Sequence, residues 1–194
     1  MNVIWLRKAP TDAFAEVARV TGPVGQMMAV WDEDALCQLA FAPDQEAYAR
    51  GLKVLADQCG QMPEEIAADD PRRTALVSWL HASPFETTPQ PAPFQVVGTP
   101  FQHSVWGLLL RSRPGQTFTY SQIAARLGNP GGARAVGGAV AANPLAVAIP
   151  CHRVLPSGGG LGGYRWGTEN KARLLEIEAM KLSSRSRDAD SDGV

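Results

Sequence analysis

Four prolines within ten positions, Pro84, Pro89, Pro91 and Pro93, constrain this chain more than any other feature. Each removes a backbone donor and restricts the residue before it, so regular structure is expected to stop over 84–93. Read as a linker at 84–94, the stretch divides the 194 residues into a unit at 1–83, a unit at 95–182 and a tail at 183–194. That length allows one large or two small domains with a sizeable core. Charge follows the same division. Residues 1–90 hold seven Lys/Arg against thirteen Asp/Glu, a net −6, and residues 91–182 hold nine against three, a net +6, within a total of −1. A basic half beside an acidic one points to a polyanion, with nucleic acid the leading candidate, or to two domains that attract each other.

Ahead of the linker, the apolar runs Met27-Met28-Ala29-Val30-Trp31 and Leu36-Cys37-Gln38-Leu39-Ala40-Phe41 flank Asp32-Glu33-Asp34. They read as a hairpin, although neither run alternates cleanly. Helical spacing recurs over 45–58 and 74–81, so the first unit is a small mixed α/β domain. Beyond the linker, 101–113 places Phe101, Val105, Leu108 and Leu109 at helical spacing, and Pro114-Gly115 ends that helix. Thr119-Tyr120-Ser121 can cap a short helix over 122–127, Gly128-Asn129-Pro130 is a turn, and 131–142 is a second helical segment of almost wholly Gly, Ala and Val. That order suggests a helix-turn-helix, and the fold class is α+β.

No window approaches the apolar length of a membrane span and residues 1–10 contain no signal-peptide core, so a cytoplasmic protein is expected. Cys37, Cys59 and Cys151 form no CxxC pair, and His81, His103 and His152 complete no zinc spacing. Free thiols and no metal are expected. The tail is polar, rich in Asp and Ser, and is expected to be disordered.

Two segments carry chemistry. Pro150-Cys151-His152-Arg153-Val154 sets a thiol, an imidazole and a guanidinium side by side. A thiol becomes a good nucleophile only on losing its proton, and it needs a base in an electropositive setting to do so. Neighbouring side chains in a regular element diverge, so contact between Cys151 and His152 requires a turn or a bridging water. A lone cysteine can equally be a small buried apolar residue. In the second segment, 133–142, Gly137 and Gly138 each weaken a helix by about 1 kcal/mol relative to Ala. Small side chains let the backbone approach another surface, either a neighbouring helix or a ligand outside, and Arg134 then projects as a lone cation that would be costly inside a core.

These segments resemble the methylated-DNA:protein-cysteine methyltransferase family, also called O6-alkylguanine-DNA alkyltransferases. The resemblance rests on Phe101-Gln102 with Val105-Trp106, Thr119-Tyr120, Gly128-Asn129-Pro130, Arg134-Ala135-Val136-Gly137, Asn143-Pro144, Ile149 through Val154, and Gly163-Tyr164 followed by Lys171, Leu174-Leu175 and Glu178. The stretch Gly163-Tyr164-Arg165-Trp166-Gly167 looks most like the C-terminal domain of the bacterial adaptive-response regulator. The resemblance implies a ribonuclease H-like first domain and a winged-helix-like second one. It also implies a monomer that needs no cofactor and binds the minor groove of duplex DNA containing O6-alkylguanine, with O4-alkylthymine a further candidate substrate.

By the same resemblance, Cys151 is nucleophile and permanent acceptor in a single-turnover transfer, His152 takes the thiol proton through a water, and Glu178 orients the imidazole. Arg134 replaces the flipped base, Tyr120 presses on the backbone phosphate and aids proton transfer to the leaving guanine, and Asn143 bridges the recognition helix to the cysteine loop. The carbonyls of Cys151 and Val154 read the guanine amino group, and Tyr164 walls the pocket. Glu178 has independent support, lying three residues after Leu175 and four after Leu174 on an apolar stripe, where a carboxylate needs a partner; Arg153 or Lys181 could supply one.

Ala146 and Trp166 stand where some relatives have proline and glycine, which predicts a pocket shaped differently for bulky alkyl groups. The first domain offers no zinc-ligand set and no cysteine-rich phosphotriester-accepting unit, so neither a zinc site nor a transcriptional-activator role is expected. Two other functions fit less well. A lesion-binding protein that flips alkylguanine without reacting would have no use for Cys151, and a sequence-specific regulator would need more side chains on the second helix able to read base edges.

Overall fold

The computed structural model describes residues 2–7, 15–82 and 90–191. Strands β1 (Val3–Leu6), β2 (Ala15–Gly22), β3 (Gly25–Asp32) and β4 (Ala35–Phe41) are followed by helix α1 (Gln45–Cys59), the two-residue β5 (Glu64–Glu65), α2 (Pro71–Ala82) and β6 (Phe94–Val97). They form one six-stranded mixed sheet in the order β1-β6-β4-β3-β2-β5. The expected hairpin is β3 and β4, antiparallel from Met27↔Phe41 to Asp32↔Ala35, with Glu33 in the turn at φ 52°. Its runs fail to alternate because the sheet is buried on both faces. Met27, Ala29 and Trp31 join one apolar cluster, while Met28 and Val30 face α1 in a second cluster with Tyr48 and Leu55.

Most of the proline-rich linker lies outside the described residues. The chain that emerges from it does not leave the first unit at once. β6 runs parallel to β1 over four residue pairs, Leu36 N donates to Pro93 O at 2.8 Å, and Phe94 is fully buried. The expected start of the second unit at 95 therefore falls inside a strand of the first unit's sheet.

Helix α3 (Pro100–Leu110) begins with a capping box in which Thr99 and Gln102 exchange hydrogen bonds, and Pro100 occupies its first turn. After β7 (Phe118–Thr119), a second capping box between Thr119 and Gln122 starts α4 (Tyr120–Arg126) two residues before the expected start. A turn over 127–132 leads into α5 (Ala133–Ala141), and α4 and α5 pack on each other and, through α5, on α3. A single 3-10 turn (Cys151–Arg153) precedes β8 (Val154–Leu155), which pairs in parallel with β7. The last helix, α6 (Thr168–Ser191), continues through most of the segment expected to be disordered. Extending a helix already nucleated on the protein body adds one hydrogen bond for each residue fixed, so a polar tail can follow a packed start.

One apolar cluster joins the two halves, with Trp31, Leu39 and Phe94 from the sheet meeting Trp106, Ile123 and Leu174 from the helices. Among the described residues every ion pair lies within one half, so the direct contact between the halves is apolar rather than ionic. The sheet also reaches the loop after α5. Leu39 N donates to Pro144 O at 2.9 Å, Ala146 N donates to Leu39 O at 2.7 Å, and Leu39 and Leu145 form a parallel bridge.

Candidate active site

The cysteine loop is the segment from Asn143 to Val154. Its backbone is tight, with Ala148 N donating to Ala146 O and Cys151 N to Ile149 O, both at 2.7 Å. Val147, buried in the middle, sits at φ 67°, a left-handed conformation costing a β-branched residue about 1–3 kcal/mol. The Leu39 bridge on one side and Asn143 on the other hold it there. Asn143 is fully buried; its Oδ1 accepts from Leu145 N at 2.9 Å, and its Nδ2 donates to Ile149 O at 2.9 Å and Cys151 Sγ at 3.0 Å. The residue capping α5 is Ala142, one position earlier, so the Asn143 side chain serves the loop rather than the helix end.

The turn expected between Cys151 and His152 is the 3-10 turn, which sends the imidazole away to α6. His152 Nε2 lies 2.8 Å from Glu178 Oε1. That oxygen also accepts from Arg153 Nε at 2.9 Å, while Glu178 Oε2 accepts from Gly115 N at 2.6 Å. Arg153 Nη1 continues the network to Ser112, donating to the carbonyl at 2.9 Å and to Oγ at 2.6 Å. Of the partners raised for Glu178 by its apolar position, Arg153 supplies one, with His152 on the same oxygen.

Burial raises the Glu178 carboxyl, but its bonds to His152 and Arg153 outweigh burial and hold it below the usual carboxylate range. Burial lowers His152 against the pull of Glu178, favouring a neutral ring. With Glu178 ionised, Nε2 carries the ring hydrogen, and Nδ1 is the nitrogen able to take a proton.

Burial pushes the Cys151 thiol up to about 11, with the Asn143 amide, the Tyr164 hydroxyl and the Lys171 ammonium acting the other way. Lys171, only 1 % exposed, donates from Nζ to Val154 O at 2.7 Å and Gly163 O at 3.4 Å. Burial depresses its pKa and the Cys151 sulfur raises it. Sequence reasoning placed Lys171 in the matching pattern without a role. Its signal was the one that gave Glu178 independent support, because Lys171, Leu174 and Glu178 share one helical stripe.

A cavity of about 300 Å³ adjoins Cys151, lined by Tyr120 and Gly137 from α4 and α5 and by Tyr164, Arg165 and Trp166 from the loop before α6. Burial raises the Tyr120 and Tyr164 hydroxyls, and a thiolate at Cys151 raises them further. Cys151, His152, Glu178 and Asn143 thus come together below the cavity, with Tyr120 and Tyr164 in its walls. Val154 is buried, and its carbonyl is engaged by Lys171, which leaves one lone pair. Arg134 stands apart, exposed on α5 and making no ion pair or hydrogen bond among the described residues. On the same helix a Cβ at Gly137 would touch the Tyr120 ring at 3.9 Å, whereas a Cβ at Gly138 would meet nothing. Contact with a neighbouring helix therefore does not explain Gly138.

A family profile for the DNA-binding domain of 6-O-methylguanine DNA methyltransferase matches residues 100–180. The Escherichia coli bifunctional transcriptional activator/DNA repair enzyme Ada is 34% identical over 156 residues, which is 80% of this chain and 43% of Ada. A methylated-DNA–protein-cysteine methyltransferase of Debaryomyces hansenii is 38% identical over 122 residues, 62% of this chain and 58% of that protein. In three dimensions, Mycobacterium tuberculosis OGT in complex with DNA aligns with a TM-score of 0.66 at 31% identity, over 84% of this chain and 92% of that one. The chain belongs to the methylated-DNA–protein-cysteine methyltransferase family. It spans about half the length of the curated relatives it matches.

Proposed function

We infer that the protein repairs DNA by moving the alkyl group of an O6-alkylguanine in a duplex onto Cys151, once per molecule. One observation carries the reading: the only buried cysteine among the described residues forms part of a nucleobase-scale cavity, held by an asparagine amide and adjoining a buried imidazole–carboxylate pair.

Helix α5 enters the minor groove, where Gly138 and its small neighbours permit close approach. Arg134 fills the gap left by the extruded nucleotide, offsetting an unstacking cost of a few kcal/mol. Tyr120 presses on the backbone phosphate, and the base enters between Tyr120 and Tyr164. The carbonyls of Cys151 and Val154 accept from the guanine amino group, Val154 through its remaining lone pair. His152 then takes the thiol proton through a water, and Glu178 stabilises the imidazolium. The thiolate attacks the alkyl carbon in line. A sulfur–carbon bond forms, the O6–carbon bond breaks with its electron pair left on guanine, and Tyr120 helps return a proton to the base.

The product is a thioether, and nothing in the cycle regenerates the thiol. Within the fold this reading assigns α4 and α5 to a helix-turn-helix in a winged-helix-like unit, and it makes the first sheet ribonuclease H-like. The working form is a cytoplasmic monomer. Trp166, which lines the cavity, disfavours bulky alkyl groups.

Lesion-bearing duplex in excess over protein tests the reading. Restored guanine should stop at one equivalent. Continued turnover, or a bound lesion that persists, contradicts it; the latter outcome would favour a lesion-binding protein.

A further inference from the structure

The first sheet also reaches the wall of the cavity. Phe41, the last residue of β4, places its ring 6.2 Å from that of Trp166 at 59°, and Tyr164 meets Trp166 edge-on at 5.3 Å. Phe41 is half-buried and does not itself line the cavity. Its position is fixed by backbone hydrogen bonds, because Leu39, two residues earlier on the same face of the strand, is the residue pinned to Pro144, Leu145 and Ala146. The end of β4 is therefore in register with the loop that carries Cys151.

The Trp166 backbone is held locally, its carbonyl accepting from Asn170 Nδ2 at 2.8 Å, but that bond does not orient the indole. Trp166 lies between Gly162 at φ 65° and Gly167 at φ 91°, and Gly163 is exposed. Arg165 lies over the same indole at 5.7 Å, but it is a flexible exposed side chain. Phe41 is the aromatic support that comes from a rigid element.

We propose that Phe41 is a positioning residue for substrate choice: by backing Trp166 it keeps the indole against the cavity, leaving room for a methyl group on O6 and excluding larger ones. This rests on the alkyl-transfer reading above. The bonds made and broken are the same for every alkyl group, so only the fit of the group changes.

The test compares transfer rates from O6-methylguanine and O6-benzylguanine placed in the same duplex, so that DNA binding is common to both. Wild type should transfer methyl faster than benzyl. Phe41→Ala should raise the benzyl rate about tenfold while the methyl rate stays within about twofold, the scale of discrimination that pocket shape supplies. Trp166→Gly should raise the benzyl rate at least as much, and adding Phe41→Ala to it should change the benzyl rate no further, because Phe41 acts through the indole.

Phe41→Leu, which keeps more of the packing, should shift the benzyl-to-methyl ratio in the same direction and carries the test if the alanine variant does not fold. An unchanged ratio, or a double variant whose effects multiply, overturns the proposal. If wild type transfers methyl and this pattern is absent, only the role of Phe41 fails. If wild type transfers neither group, the alkyl-transfer reading fails and takes the role of Phe41 with it.

Discussion

Around Cys151, the side chains of Asn143, Arg153, Lys171 and Glu178 are all buried and all hydrogen-bonded, and the sulfur is held among them. Helix α5, which ends shortly before Asn143, is built the opposite way. It starts without a side-chain cap, carries two adjacent glycines, one with no neighbour for a Cβ, and displays an unpaired Arg134. Reacting atoms need fixed geometry, which a low-dielectric site supplies only when every charge in it is answered. A surface that meets a partner can leave its groups unanswered until the partner arrives. The two regions therefore respond differently to substitution: changes in the cysteine loop strike stability and chemistry together, whereas changes on the exposed face of α5, away from the buried Val136 and Ala139, spare the fold and strike the encounter with DNA.

The largest effect should come from Glu178→Gln. It leaves the buried Arg153 without its counter-charge and is expected to cost about 3 kcal/mol in urea unfolding, with alkyl transfer slowed as well. A loss of only a few tenths of a kcal/mol would remove the main support for the contrast. Arg134→Ala should leave unfolding within about 0.5 kcal/mol of wild type. It should slow repair of a duplex lesion by roughly ten- to a hundredfold, a fraction of the unstacking energy it offsets. Equal slowing with free O6-alkylguanine base would place Arg134 in the chemistry rather than in base extrusion.

Acid should act on the cysteine region next. Glu178 is depressed, so its ionised form stabilises the fold above the ordinary carboxylate range, and that contribution is lost as pH falls through its folded value. His152 is depressed as well, so the unfolded chain takes up its proton first, and stability declines once pH drops below the ordinary imidazole value of 6.5. Unfolding free energy followed from neutral pH downward should fall by up to about 1.4 kcal/mol per pH unit for each group in its window. In the Glu178→Gln variant the slope should flatten in the carboxylate range but persist below 6.5, because His152 loses the partner that raises it. The smallest effect belongs to Gly138→Ala, which should raise stability by up to about 1 kcal/mol while weakening duplex binding measured by fluorescence anisotropy. Unchanged affinity would mean that this side of α5 does not face DNA.

The hairpin β3–β4 and helices α1, α2 and α3 were legible from turn residues and periodicity, because their signals are local. The same logic located α4 and α5, with α4 beginning earlier because Thr119 rather than Ser121 supplies the cap. Strand β2 escaped notice because it alternates weakly. Its buried positions include Ala15 and Ala18, and Glu16 and Arg19 find their side-chain partners, Arg72 for the one and Gln45 and Tyr48 for the other, far along the chain. Strand β6 was lost among prolines whose rigidity ends a strand's length too early in a sequence reading.

At the site, Glu178 could be found because a carboxylate on an apolar stripe demands a partner. Ser112 and Gly115, which complete its network, and Phe41, which backs the cavity, carry no such local mark. Their roles depend on contacts between distant segments, which spacing along the chain does not encode.

The central claim is that one sulfur is the final acceptor. Intact mass, followed by peptide mapping, after incubation with a duplex bearing a single O6-methylguanine tests it most directly. A gain of one CH2 per molecule, confined to the peptide containing Cys151 and absent in Cys151→Ala, is the predicted result. An unmodified protein beside a surviving lesion, or a methyl group carried on any other residue, would contradict it.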